Sequence, residues 1–235
     1  MGTSDVTAVA GTEAPAEPEE APTRRRPLTV MLVCVLAVAA LVIAGTTGWL
    51  VGSSSSAPAT VTENSVDAGF ARDMSTHHTQ AIEMANYARD YTSDPSIKIL
   101  ARDIETQQYF QLGEMQGWLD VWNLSRTSSE PAMAWMSGHE QLTADGLMPG
   151  MATSAEMNKL ETLTGKALDI YFLQLMLRHH QGGLPMAQYA AAQATEPYVR
   201  LLASKMVEAQ SREIIQMEQL LRQRGATPLP APATH

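Results

Sequence analysis

Shifting the chain by 102 residues lays the segment 67–119 over 169–221 without a gap. Identical residues then coincide at Asp67/Asp169, Phe70/Phe172, Met74/Met176, His77/His179, His78/His180, Met84/Met186, Ala85/Ala187, Tyr87/Tyr189 and Ala88/Ala190. They continue at Pro95/Pro197, Leu100/Leu202, Ala101/Ala203, Gln108/Gln210, Met115/Met217 and Leu119/Leu221. So many identities at one offset mark an internal duplication, so whatever one copy folds into the other must fold into as well.

Each copy reads as two helices. Positions 67, 70, 74, 77, 81, 84 and 88 advance by alternating steps of three and four, the spacing that holds side chains on one helix face. The second copy repeats the stripe as Asp169, Phe172, Met176, His179, Gly183, Met186 and Ala190. Asp94-Pro95 and Glu196-Pro197 break each first helix and start a second, because proline is tolerated in a first turn but not in a helix interior. The second helices present Ala101, Ile104, Gln108, Met115 and Leu119, and Ala203, Met206, Gln210, Met217 and Leu221. Two hairpins make four amphipathic helices, and one bundle with pseudo-twofold symmetry buries all four stripes. The expected fold is therefore all-α, a four-helix bundle from two duplicated hairpins. The join, about 123 to 149, is long for a bundle and rich in Met, Trp and Gly. It contains Met133-x-x-Met136-x-x-His139 and Met148-x-x-Met151, and Thr153-Ser154-Ala155-Glu156 reads as an N-cap before the third helix.

The flanks have a different character. Residues 1–26 begin Ala-, Pro-, Glu- and Thr-rich and end in Arg24-Arg25-Arg26, a composition expected to be disordered. Segment 27–51 is uncharged and apolar, and about 20 such residues suffice to cross a bilayer as a helix. The arginines on its N-terminal side predict a cytoplasmic N-terminus and an extracytoplasmic C-terminal domain on a single-pass anchor in the cytoplasmic membrane. A cleaved signal peptide ending near Ala57-Pro58-Ala59 is the competing reading; the length of the apolar run and of the segment before it favours the anchor. Residues 52–62 read as a linker, 63–225 as the folded domain, and 226–235 as a disordered tail.

The net charge of −9, with 16 basic against 25 acidic residues, excludes a nucleic-acid binder, which needs clustered Lys and Arg. The single cysteine, Cys34, lies in the apolar run, so neither a disulfide framework nor a thiolate metal site can be built. Any soft ligand of the folded domain is then methionine, of which the chain has 14. On a helix Met74 stands beside His77 (i, i+3) and His78 (i, i+4), so one turn offers a thioether with imidazoles. Met84 lies two turns from His77 on the same face, and Met176, His179, His180 and Met186 repeat the set. Imidazole suits copper, zinc and iron, whereas thioether favours Cu(I); a Met/His set without Cys points to copper.

Two further readings stand beside this one. Met, Phe and Ala on a helical stripe also make an ordinary core, with Asp67, Asp169, Gln108 and Gln210 as hydrogen-bond partners of the histidines in a purely structural network. The chain would then be a non-catalytic envelope interaction module with an unidentified protein partner. A redox enzyme has less support: no Glu-x-x-His pair for a di-iron centre occurs, nor any nucleophile, phosphate-loop or dinucleotide motif. No enzymatic activity is expected.

The repeated D-x-x-F-x-x-x-M-x-x-H-H-x5-M-A, followed by a helix with A-x6-Q-x6-M, resembles the domain-of-unknown-function 305 family over about residues 63–222. The run Leu177-Arg178-His179-His180-Gln181-Gly182-Gly183-Leu184-Pro185-Met186-Ala187 looks most like the family's signature. The resemblance implies a ferritin-like bundle, commonly exported or membrane-anchored in bacteria, with members implicated in copper binding and resistance. Carried over, that role falls on Met74, His77, His78, Met84, Met176, His179, His180 and Met186. The first copy departs from the pattern, with Thr79-Gln80 where the second has Gln181-Gly182.

Overall fold

Helix starts are written in the side chains that precede them. Ser65 accepts a hydrogen bond from Ala68 N and opens α2 (Val66–Tyr91); Asp94 accepts from Ser96 N and, with Pro95 in the first turn, opens α3 (Pro95–Val121). These belong to a computed structural model that describes residues 27–53, 61–138 and 142–232. Before them comes α1 (Pro27–Ser53); after them come α4 (Ser154–Leu160), α5 (Gly165–Gln193) and α6 (Pro197–Gln223), which makes six helices and no strand among the described residues. Gly225, at a φ of 67°, ends α6: its N–H bonds Arg222 O and the next N–H bonds Leu221 O, closing the last turn.

The chain divides into two compact units, Met1–Pro58 and Ala59–His235. In the second, α2 packs on α3 and α5 on α6, the two expected hairpins, and α2 packs on α5 to join them. The core falls into two clusters at opposite ends of the helices. One joins Met84, Ala88, Ile97, Ile104, Phe172, Met176, Met217 and Leu221, the late part of α2 and α6 with the early part of α3 and α5. The other joins Phe70, Met74, Met115, Leu119, Met186, Val199, Ala203 and Met206, the reverse combination. Adjacent helices are therefore antiparallel, and the 102-residue shift exchanges the clusters. Phe70 and Phe172 are fully buried, each contributing about 2–3 kcal/mol through removal of apolar surface from water.

The connection between hairpins runs over the bundle. Its Met133, Trp135, Met136 and Met148 are buried in the second cluster. Asp73 of α2 anchors it through one oxygen that accepts from Met133 N and Trp135 Nε1, both at 2.7 Å. Thr153 and Glu156 form the expected capping box, but it opens the short α4 rather than the third bundle helix. The chain turns again at 161–164 and α5 starts at Gly165, so the cap serves the connection.

The expected transmembrane span coincides with α1, along which Leu28, Val30, Leu32, Leu36 and Leu41 are exposed. Among the described residues no helix is long and apolar enough to cross a membrane, so that span is not shown. The expected disorder of 1–26 and linker residues 54–60 lie outside the described residues, as do His139 and the tail residues 233–235. Linker residues 52 and 53 are the last of α1.

Candidate metal centre

Between the two apolar clusters lies a polar layer made by the repeated His-His pairs. His77 and His179 face each other from α2 and α5, their ring centroids 3.7 Å apart, and His78 and His180 stand beside them. All four are at most 1 % exposed. Burial pushes the His77 imidazole down to about 4 and His78 to about 3, and holds His179 well below the ordinary range. These three rings are neutral near pH 7.

Three Nε2 atoms have acceptors: Pro149 O for His77 (3.2 Å), Gln111 Oε1 for His78 (2.8 Å) and a Glu213 carboxylate oxygen for His180 (2.6 Å). A carbonyl or carboxylate oxygen only accepts, so Nε2 carries the hydrogen and, in the neutral ring, the lone pair falls on Nδ1. The Nδ1 atoms of His77, His78 and His180 are buried without a hydrogen-bond partner, as is Nε2 of His179. Gln108 Oε1 and Gln210 Oε1 are unpartnered in the same way. Such groups are rare in folded interiors because each forfeits its hydration, at about 1–3 kcal/mol. The four ring nitrogens gather in one layer with Gln210 Oε1 beside His77, and a bare ring nitrogen or an amide oxygen offers a lone pair. An imidazole whose other nitrogen is held by an oxygen acceptor is the usual arrangement of a metal-ligating histidine.

The connection closes over this layer. A β-carbon at Gly182 would fall 2.0 Å from Pro149 O, and one at Gly150, where φ is +84°, would fall 2.5 Å from Arg178 O. The absence of side chains at both positions lets the two backbones touch and brings Pro149 O to His77. Gln80, the counterpart of Gly182, clamps the same segment by donating to Ala152 O (2.8 Å) and accepting from Ala152 N (2.7 Å). Gly183 makes room for the His77 ring: a β-carbon there would lie 2.9 Å from Cε1, 3.3 Å from Nδ1 and 3.4 Å from Gln210 Oε1. His77 Nδ1 and Gln210 Oε1 thus face one small space.

All eight residues singled out from the sequence are buried in the bundle. The four histidines form the layer, with Met84 and Met176 in the cluster on one side of it and Met74 and Met186 in the cluster on the other. Met217 joins the first set and Met115 the second, so each side holds three thioethers related by the duplication. Among the described residues no group of three or more His, Cys, Asp or Glu is arranged to hold a metal. A metal here would draw on imidazole and thioether together.

The expected histidine partners differ from the observed ones. Asp67 instead accepts from Thr195 N (3.0 Å) and Glu196 N (2.8 Å) at the start of α6, and Asp169 accepts from the Thr92 hydroxyl. The true partners, Gln111 and Glu213, also correspond across the 102-residue shift and lie three residues beyond Gln108 and Gln210. That helical spacing was the available signal, hidden because Gln and Glu are not identical. Met133 and Met136 are buried in the connection and outside the layer's own helices.

Residues 67–221 match the family described as Domain of unknown function (DUF305). A DUF305 protein from Streptomyces coelicolor of solved structure is 48% identical, covering 72% of this chain and 99% of that one, with a TM-score of 0.67. A DUF305 fragment from Deinococcus radiodurans is 30% identical over 67% of this chain and 96% of its own, with a TM-score of 0.56. CopM is 27% identical in its Cu(I)-bound form, covering 67% of this chain and 96% of that one, with a TM-score of 0.51. Its Cu(II)-bound form gives 29% identity, coverages of 68% and 97%, and a TM-score of 0.52. Among curated proteins none matches the chain.

Proposed function

Because the chain belongs to the DUF305 family, whose description names no activity, we propose its function from the site: it binds copper through the buried Met/His centre. The carrying observation is the set of four buried imidazoles, each with a ring nitrogen that bonds no group among the described residues. Histidine Nδ1 of residues 77, 78 and 180 and Nε2 of residue 179 are the nitrogen donors. Met74, Met84, Met176 and Met186 are the thioether donors. The donor chemistry fits copper, because thioether is a poor ligand for zinc and a good one for Cu(I). The neighbour CopM, whose names state copper-bound forms, supports the same reading.

The reading extends to place. Arg24–Arg26 before the apolar α1 favours a single-pass anchor with the ferritin-like bundle outside the cytoplasm, where a protein free of thiols in its folded part can hold copper without disulfide chemistry. The role proposed for the chain is that of a copper buffer or carrier.

The second reading is an interaction module whose histidines are structural, favoured by the lack of any three-residue His/Cys/Asp/Glu group among the described residues. One experiment separates the two. The purified protein is offered copper, dialysed, and analysed for metal and thermal stability. Retained copper that raises the melting temperature, and that is lost when His77, His78, His179 and His180 are changed to Ala in a variant still helical by circular dichroism, supports copper binding. A metal-free native protein with an unshifted melting temperature supports the module.

A further inference from the structure

The duplication relates the two halves of the centre, and they differ at one charge in contact with the layer. His78 Nε2 donates to Gln111, a neutral amide, at 2.8 Å. The equivalent His180 Nε2 donates to Glu213, a carboxylate, at 2.6 Å. Three further charge differences lie on the turns before the histidines, and each charge is engaged away from the rings: Arg178, for Thr76, by Glu156 at 2.8 and 2.7 Å, Arg72, for Gln174, by Glu63, and Asp73, for Leu175, by the Met133 and Trp135 donors of the connection. Among the described residues Glu213 is the carboxylate that bonds a ring of the layer. It is largely shielded, its side chain only 15 % exposed, so water and salt weaken its field little.

We infer that Glu213 makes the His180 half of the centre selective for Cu(II), while Gln111 leaves the His78 half selective for Cu(I). The inference rests on the copper reading above. Charge compensation drives it. A buried ion is tolerated only to the extent that its charge is offset nearby. Cu(I) with neutral imidazole, thioether and Gln111 leaves one positive charge. Cu(II) with the same neutral donors and Glu213 also leaves one, whereas Cu(II) in the Gln111 half leaves two. A carboxylate accepting the Nε2 hydrogen also makes the imidazole a stronger donor through Nδ1, which favours the harder, more highly charged ion. Glu213 acts through His180 and is a positioning residue.

The test uses the full-length chain in mild detergent. Cu(I) affinity is read by competition with a cuprous chelator without oxygen, and Cu(II) affinity by competition with glycine and by electron paramagnetic resonance. Glu213→Gln should lower Cu(II) affinity at least about tenfold more than it lowers Cu(I) affinity, and Glu213→Asp should restore most of the difference. Gln111→Glu should add a second paramagnetic Cu(II) signal. Equal losses of both affinities in Glu213→Gln, or no loss of either, would overturn the inference while leaving copper binding intact. A native chain that takes up neither ion would overturn the copper reading and this inference together.

Discussion

Gly182→Ala is a one-methyl change whose outcome tests how the centre is closed. The new carbon would sit 2.0 Å from Pro149 O, 2.2 Å from Pro149 C and 2.5 Å from Gly150 N, all backbone atoms of the connection. Ordinary contact needs well over 3 Å, so the connection must move by more than an ångström. It cannot slide in place, because Gly150 is itself within touching distance of the Arg178 and His179 carbonyls. Overpacking of this kind costs about 1–3 kcal/mol. Lifting the segment also weakens the His77–Pro149 bond and both Gln80–Ala152 bonds, each worth about 1 kcal/mol. Better helix propensity returns about 1 kcal/mol. The net loss is about 2–4 kcal/mol, a fall of roughly 5–15 °C in Tm for a unit of this size. Thermal melts of the metal-free protein at pH 7 read it, with Gly113→Ala as control. Gly113 is an exposed helical position with nothing near its β-carbon, and Ala there should stabilise by up to about 1 kcal/mol. If Gly182→Ala melts at or above the native temperature, the close approach over the layer is wrong.

Gly183→Ala places a carbon 2.9 Å from His77 Cε1, so the ring must shift by tenths of an ångström; copper affinity should fall in titration while Tm changes little, and an unchanged affinity would remove His77 from the donor set. Acid should destabilise the metal-free protein: folded pKa values of about 4 for His77 and about 3 for His78 lie below the unfolded value of about 6.5. The unfolded chain then binds more protons between those limits. Stability is complete above about pH 6.5 and falls as pH drops toward 4, on the order of 1 kcal/mol per pH unit for each ring, readable in urea midpoints from pH 7 to 4. A flat profile would contradict the buried, neutral assignment. Asp73→Ala strands the Met133 and Trp135 donors and should cost about 2–3 kcal/mol with a red shift of tryptophan emission; unchanged emission would show the anchor to be dispensable.

The helices were legible because their signals are local: Pro95 and Pro197 start α3 and α6, Gly225 stops α6, and the three/four stripe sets the buried faces. The duplication carried this further, since one offset pairs His77 with His179 and Met84 with Met186. What escaped depends on the third dimension. Thr153–Glu156 is a sound cap, and nothing local says that its helix ends at Leu160. Asp67 and Asp169 lie on the histidine stripe yet reach helix ends almost three turns away from the layer. Pro149 contributes a backbone carbonyl, which no side-chain pattern announces; only Gly150 and Gly182, bare where two chains meet, hint at it.

The most direct test of the centre reads the ring nitrogens themselves. Two-dimensional 15N spectra of the histidine side chains in the metal-free protein should show His77 and His78 with hydrogen on Nε2 and a bare Nδ1. Adding Cu(I), which is diamagnetic, should shift the Nδ1 resonances of these rings and leave Nε2–H in place. Nδ1 resonances that stay unmoved at saturating Cu(I) would contradict the account.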